Sequence, residues 1–198
     1  MVQDALPGST LAASRDRAVL LIGFAGGLRR SELAAMRCED LDWNRCGLTV
    51  HLPKSKTDQE GQGRDVEFLF GAQPEVTPLS ELTCPVRALA QWLRQANIED
   101  GFVFRRISHA QTILGGLEPR SIANLIKKAF RRAGVSEKEL ARYGAHSLRA
   151  GFATMAWANG ATELAIMRQT GHKSNAMVRK YIRSDEAERI EAASKPGL

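Results

Sequence analysis

The chain has few of the residues that mark secreted, metal-stapled or membrane proteins. It holds only three cysteines, Cys38, Cys46 and Cys84, in 198 residues. An odd count with no Cys-x-x-Cys pair gives neither a disulfide framework nor a zinc knuckle. Reduced thiols of a cytoplasmic protein are the expected reading. Long apolar runs are missing too. The strongest, residues 18–25, spans eight residues, whereas a bilayer needs roughly 20. No basic start or apolar run opens the chain, so no secretory signal is expected. Tyrosine occurs twice and histidine four times. Each of these scarce side chains therefore counts in a search for chemistry.

What is present is ordinary globular material. Hydrophobic residues make up 43 % and charged residues 25 %, enough for a core without staples. The formal net charge of +6 favours a polyanionic partner. There is no internal repeat and no low-complexity segment.

Read for pattern, residues 1–13 are small and polar, a leader or linker remnant. A helix is expected from Ser14, with Ser14 as its N-cap, stopped by Gly26-Gly27. A short second helix covers residues 31–36. Residues 41–43 and 48–52 read as a hairpin around a turn at 44–47, with a third strand at 64–70. The rest is helical, apart from one short extended piece at 102–104 and a loop from there to residue 116. Pro85 and Pro119 open helices at residues 85–97 and 119–133. Ser136 and Glu139 form a capping box. Further helices are expected at 146–159, 162–170, 174–183 and 185–193. Met155, Met167 and Met177 fall at core-like positions. The class is α+β, mainly α, with a small three-stranded antiparallel sheet near the N-terminus.

Three short segments carry unusual residues. Gly27-Leu28-Arg29-Arg30-Ser31-Glu32-Leu33 puts an arginine where one helix ends and the next begins, beside a positive helix N-terminus. His146-Ser147-Leu148-Arg149 places an imidazole and a guanidinium three residues apart, on one helix face. Gly171-His172 sets a histidine on a turn, with Tyr181 nine residues on, two turns into the following helix. Taken singly, each also reads as a solvated surface or a core position.

Together and in this order, the segments resemble the tyrosine recombinase (phage integrase) family over about residues 14–184, its catalytic domain. The resemblance implies that Arg29 and Arg149 are the two catalytic arginines. His146 and His172 match the two histidines, and Tyr181 the nucleophile. Glu32 matches a position that supports the first arginine. The family also uses a lysine on the hairpin between its second and third strands. Lys54 and Lys56 are the candidates, and Lys56 in Ser-Lys-Thr-Asp is preferred.

The chemistry explains the residue types. A phosphodiester attacked in line gains negative charge on its nonbridging oxygens. Two planar guanidiniums suit those oxygens and stay charged at working pH, with His172 as a further donor. Tyrosine, with a free pKa near 10, must lose its proton as it attacks, and His146 is the candidate to accept it. Lys56 would protonate the leaving 5′ oxygen. The product is a 3′-phosphotyrosine that stores the bond energy, so no metal, nucleotide or other cofactor is called for.

The resemblance further implies a site-specific recombinase acting on double-stranded DNA. It implies self-association on DNA as a tetrameric synapse in the full-length protein, a nucleoid location in the cytoplasm, and no membrane contact. A relaxing topoisomerase of the same chemistry and a DNA-binding module without activity are the alternatives. Arg105, Arg106, Arg120 and Lys127, with Lys54, are candidates for phosphate contacts, as are Lys128, Arg131 and Arg132. The family carries a helical DNA-binding domain ahead of this region, whereas about 13 residues precede the first helix here. An excised fragment and a natural truncation both fit. Residues 185–198 read as a helical tail that docks on a neighbour or folds back.

Overall fold

A computed structural model describes residues 10–53, 63–70, 83–141, 143 and 147–182. Lys54, Lys56, His146 and the tail from residue 183 lie outside the described residues.

Helix α1 spans Leu11–Ala25. It begins three residues before the expected Ser14. The Thr10 hydroxyl accepts from the Ala13 amide at 3.2 Å and so caps the helix, while Ser14 is buried inside it. Helix α2 covers Arg30–Ala35. After a 3-10 turn at Cys38–Asp40 come β1 (Leu41–Asn44), β2 (Gly47–Leu52) and β3 (Arg64–Leu69). They form an antiparallel sheet in the order β1-β2-β3. The register pairs Val50 with both Leu41 and Val66, and Leu52 with Arg64. Val50, Val66, Leu48 and Phe68 alternate inward, as a sheet with one covered face requires.

Helix α3 (Pro85–Gln95) packs on α1 and places Trp92 at the centre of the core, where its indole N–H donates to the Val103 carbonyl at 2.8 Å. Strands β4 (Arg105–Ile107) and β5 (Ile113–Gly116) form a second, two-stranded sheet. The sequence reading took this stretch for a loop, because its strands are short and half exposed. Helix α4 (Pro119–Arg132) and the short α5 (Glu137–Leu140) follow, α5 with the expected Ser136–Glu139 capping box. The last helices are α6 (Ser147–Ala158), α7 (Glu163–Thr170) and α8 (Asn175–Arg179). The fold is therefore mainly helical with a small antiparallel sheet near the N-terminus, as the sequence implies.

Two apolar clusters hold these elements. The large one joins α1, α2, the three-stranded sheet, α3 and α4 around Ile22, Leu33, Val50, Leu89, Phe104 and Ile126. The small one, Ala153, Ile166 and Val178, joins α6, α7 and α8, with Tyr181 and Ile182 packed on its margin. The site lies where Leu148 and Arg149 of α6 meet the large cluster and the α1–α2 link. Met155 and Met177 are not core residues: they are 56 % and 40 % exposed. Helix α6 is apolar nearly all round, so its sequence period does not mark an inner face.

Candidate active site

Arg149 is the most deeply placed charge among the described residues, 2 % exposed on the first turn of α6. Burial of a guanidinium requires acceptors, and three elements supply them. Nη1 donates to the Gly27 carbonyl at 2.9 Å and to the Thr170 carbonyl. Nε donates to Nε2 of His172 at 3.2 Å. Nη2 has no partner among the described residues. Burial and the neighbouring Arg29 push the Arg149 pKa down to about 10, with Arg64 adding to the effect. The side chain is therefore still a cation at neutral pH.

The backbone that meets Arg149 is shaped by glycine. Gly27 has φ of 55°, and a Cβ there would stand 2.7 Å from the Thr170 methyl. Gly171 closes α7 at φ 67°, the left-handed cap expected before His172. Because an arginine Nε always donates, Nε2 of His172 must accept. Its proton then sits on Nδ1 and is donated to Thr170 Oγ1 at 2.7 Å, and that hydroxyl donates on to the Ile166 carbonyl at 2.6 Å. Burial, then Arg149, Arg29 and Arg64, push the His172 pKa down to about 4. The ring is therefore neutral, and its first task in this arrangement is to hold Arg149. Donation from Nε2 to a phosphate oxygen requires a proton that this arrangement does not place there.

Arg29 caps α2 from the exposed side. Its backbone N–H donates to Glu32 Oε2 at 2.7 Å and its Nη1 to Oε1 at 2.6 Å. The guanidinium stays 29 % exposed, next to the buried Arg149 whose charge it opposes. Burial would lift the Glu32 carboxyl, but Arg64 and Arg29 hold it below the usual carboxylate range.

Tyr181 does not lie inside a helix. Helix α8 ends at Arg179, and Tyr181 stands in the turn after it. Its ring is half-buried, 5.1 Å from the His172 ring between centroids. The single proton of the Thr154 hydroxyl on α6 is shared between the Tyr181 carbonyl at 2.8 Å and the Ala150 carbonyl at 3.0 Å.

Four of the expected residues, Arg29, Arg149, His172 and Tyr181, thus converge from distant parts of the chain, with Glu32 beside them. Lys54, Lys56 and His146 lie outside the described residues. Of the expected phosphate contacts, Arg105 donates to the Phe102 carbonyl at 2.9 Å and to the Asp100 carbonyl, so its guanidinium is engaged within the chain. Arg106 and Arg120 are exposed, and Lys127 is half-buried. Arg131 is paired with Glu137. The sequence reading missed Arg64, Thr154 and Thr170. Arg64 and Thr154 act on segments distant in sequence, which no spacing marks, whereas the signal for Thr170 is local, two residues before His172. Among the described residues no cluster of His, Cys, Asp or Glu could hold a metal ion, and no helix is long and apolar enough to cross a membrane.

Comparison with known proteins gives the family and the fold. The profile of the phage integrase family matches residues 4–188. An integrase/recombinase XerD homolog of Selenomonas ruminantium is 39 % identical over 183 residues, covering 92 % of this chain and 51 % of that protein. The tyrosine recombinase XerA of Pyrococcus furiosus is 25 % identical over 184 residues, 93 % of this chain and 55 % of its own. The chain thus spans about half the length of the relatives it matches. Among solved structures, XerH bound to palindromic difH substrate in a post-cleavage complex superposes with a TM-score of 0.67 at 20 % identity, over 98 % of this chain and 49 % of that one. A crystal structure of XerA recombinase gives 0.65 at 19 % identity, over 94 % and 58 %. The chain belongs to the phage integrase, or tyrosine recombinase, family and carries the fold of its catalytic domain.

Proposed function

We propose that the chain is the catalytic part of a site-specific DNA recombinase that cuts and rejoins strands through a 3′-phosphotyrosine. The observation that carries this reading is the state of Arg149: a buried cation, fixed by two carbonyls and an imidazole, with Nη2 left without a partner among the described residues. A fixed guanidinium with one nitrogen free is suited to an anion that arrives from outside. In this reading the scissile phosphate sets its nonbridging oxygens between Arg149 Nη2 and the more exposed Arg29, which offset the charge that builds during in-line attack.

Tyr181 attacks phosphorus. The P–O bond to the 5′ oxygen breaks as the bond to the phenolic oxygen forms. The phenolic proton passes to His146, and Lys56 gives a proton to the departing 5′ oxygen. Reversal by a second 5′ hydroxyl restores the diester and frees Tyr181. Glu32 keeps Arg29 in place throughout. His172 keeps Arg149 in place, and gives a hydrogen bond to the phosphate only after taking a proton on Nε2. Two arginines and a lysine supply the charge and the proton, so the reaction runs without metal or nucleotide. The partner is duplex DNA, on which the full-length protein self-associates as a tetramer.

The test is a nicked duplex that loses the cut end. Incubated in excess EDTA without nucleotide, the chain should accumulate as a covalent protein–DNA adduct, and sequencing the attached ends would give the site. Strict dependence on magnesium, or no adduct, counts against the reading. Plasmid relaxation without recombinants would instead favour a topoisomerase.

A further inference from the structure

Arg64 has no place in the chemistry above, yet it touches both halves of the site. It is the first residue of β3, paired with Leu52, the last residue of β2. Its side chain is 17 % exposed. Nη2 donates to Glu32 Oε2 at 3.1 Å, and Nη1 donates to the Gln169 carbonyl, two residues before Gly171. The Gln169 side chain reaches back to the Ala25 carbonyl at 3.1 Å and the Glu67 carbonyl at 3.0 Å. Gly171 leaves room for the arginine, since a Cβ there would come within 2.7 Å of Arg64 Cδ and Nε.

We propose that Arg64 is a positioning residue for Arg29, acting through the Glu32 carboxylate while it ties that carboxylate to the His172 turn. This rests on the strand-cleavage reading for its effect on rate. Glu32 Oε2 serves the Arg29 backbone and Arg64, and Oε1 serves the Arg29 guanidinium. Without Arg64 the carboxylate keeps a single guanidinium partner and gains freedom to rotate, and Arg29 rotates with it. Each Arg64 Nη group engages a protein acceptor, Gln169 or Glu32, and this holds the guanidinium between α2 and the His172 turn. A residue needed only for packing has no reason to bring a further cation here. Three guanidiniums, Arg29, Arg64 and Arg149, surround one carboxylate, and that arrangement repels itself unless an anion is to be bound.

The experiment compares Arg64→Gln, Arg64→Lys, Glu32→Gln and the Arg64→Gln/Glu32→Gln double variant in single-turnover adduct formation on the nicked duplex. DNA is saturating, and folding is checked by circular dichroism. Arg64→Gln should slow adduct formation by about tenfold to a hundredfold with little change in duplex affinity. Arg64→Lys, which keeps the charge and one contact, should fall between it and the unaltered chain. The double variant should be no slower than the slower single. An unaltered rate in folded Arg64→Gln, or losses that multiply in the double variant, overturns the proposal. A second readout needs no activity: solvent exchange of the Arg29 side-chain N–H groups, followed by nitrogen-15 NMR on the free protein. Exchange should speed up in Arg64→Gln, and in Arg64→Lys if the glutamine variant fails to fold. Unchanged exchange overturns the coupling even where the strand-cleavage reading has failed.

Discussion

Arg149 and His172 form one hydrogen-bonded unit, with Nε of the arginine donating to Nε2 of the histidine at 3.2 Å. This fixes the tautomer of the ring, and through Thr170 it fixes the ring plane. It also makes the two side chains interdependent, since protonation of His172 would set two N–H donors against each other.

A pH dependence follows from that unit. The ordinary histidine pKa is about 6.5, and in the folded chain burial with Arg149, Arg29 and Arg64 lowers it to about 4. Between these values the unfolded chain binds a proton that the folded one does not. The contribution of a neutral His172 is therefore complete above pH 6.5 and is lost as pH falls toward 4. Urea unfolding from pH 7.5 to 4.5 should show a smaller acid loss in His172→Phe than in the unaltered chain. His51, raised by its hydrogen bond to Asp65, works in the opposite sense in both proteins and cancels in the comparison. Parallel curves would show that His172 titrates normally.

Tyr181→Phe should give no covalent adduct on the nicked duplex while keeping DNA affinity and thermal stability, because one oxygen is lost and little volume. An adduct that persists in this variant would move the nucleophile elsewhere. Tyr143, stacked on Phe130 at 4.5 Å between centroids, is the other tyrosine.

Thr154 holds the tyrosine turn through a backbone carbonyl. Thr154→Val keeps the shape and removes the bond, a loss of about 1 kcal/mol or roughly fivefold in the population of the held turn. Single-turnover adduct formation should slow by that order with binding unchanged, and Thr154→Ser should restore it. Equal rates in all three proteins would show that the contact does not matter.

Lys56→Ala should cut ordinary DNA about a hundredfold more slowly, yet cut a duplex with sulfur at the bridging 5′ position at nearly the unaltered rate. A thiolate leaves without a proton. Arg149→Ala should not be rescued, because its place is at the nonbridging oxygens. Rescue in Lys54→Ala but not Lys56→Ala would transfer the role to Lys54.

Local chemistry made much of this fold legible. Thr162 and Ser174 cap α7 and α8, Pro119 opens α4, and Gly171 closes α7 where those residue types predict. Arg29, Arg149, His172 and Tyr181 stood out because they are scarce or oddly placed. The hairpin of β4 and β5 was hidden by polar residues such as Arg106 and His109, which give no alternation. The end of α8 before Tyr181 was hidden because Lys180, Tyr181 and Ile182 are all acceptable in a helix, and tertiary contact decides. Arg64 was illegible for a different reason. Its partners Glu32 and Gln169 lie 32 and 105 residues away, and no spacing rule connects them.

The two carbonyls that share Arg149 Nη1 also bear on how this chain becomes competent. Gly27 lies 122 residues upstream of the arginine and Thr170 lies 21 downstream. Closing a loop of the longer kind carries an entropic cost that only late, cooperative contacts repay. Until α1 and α7 both dock on α6, the guanidinium lacks the acceptors that make its burial tolerable. Docking of α1 and α7 on α6 is therefore also the step that creates the buried cation. A nascent or half-folded chain holds every residue of the site in its sequence and still presents no assembled centre to a DNA strand.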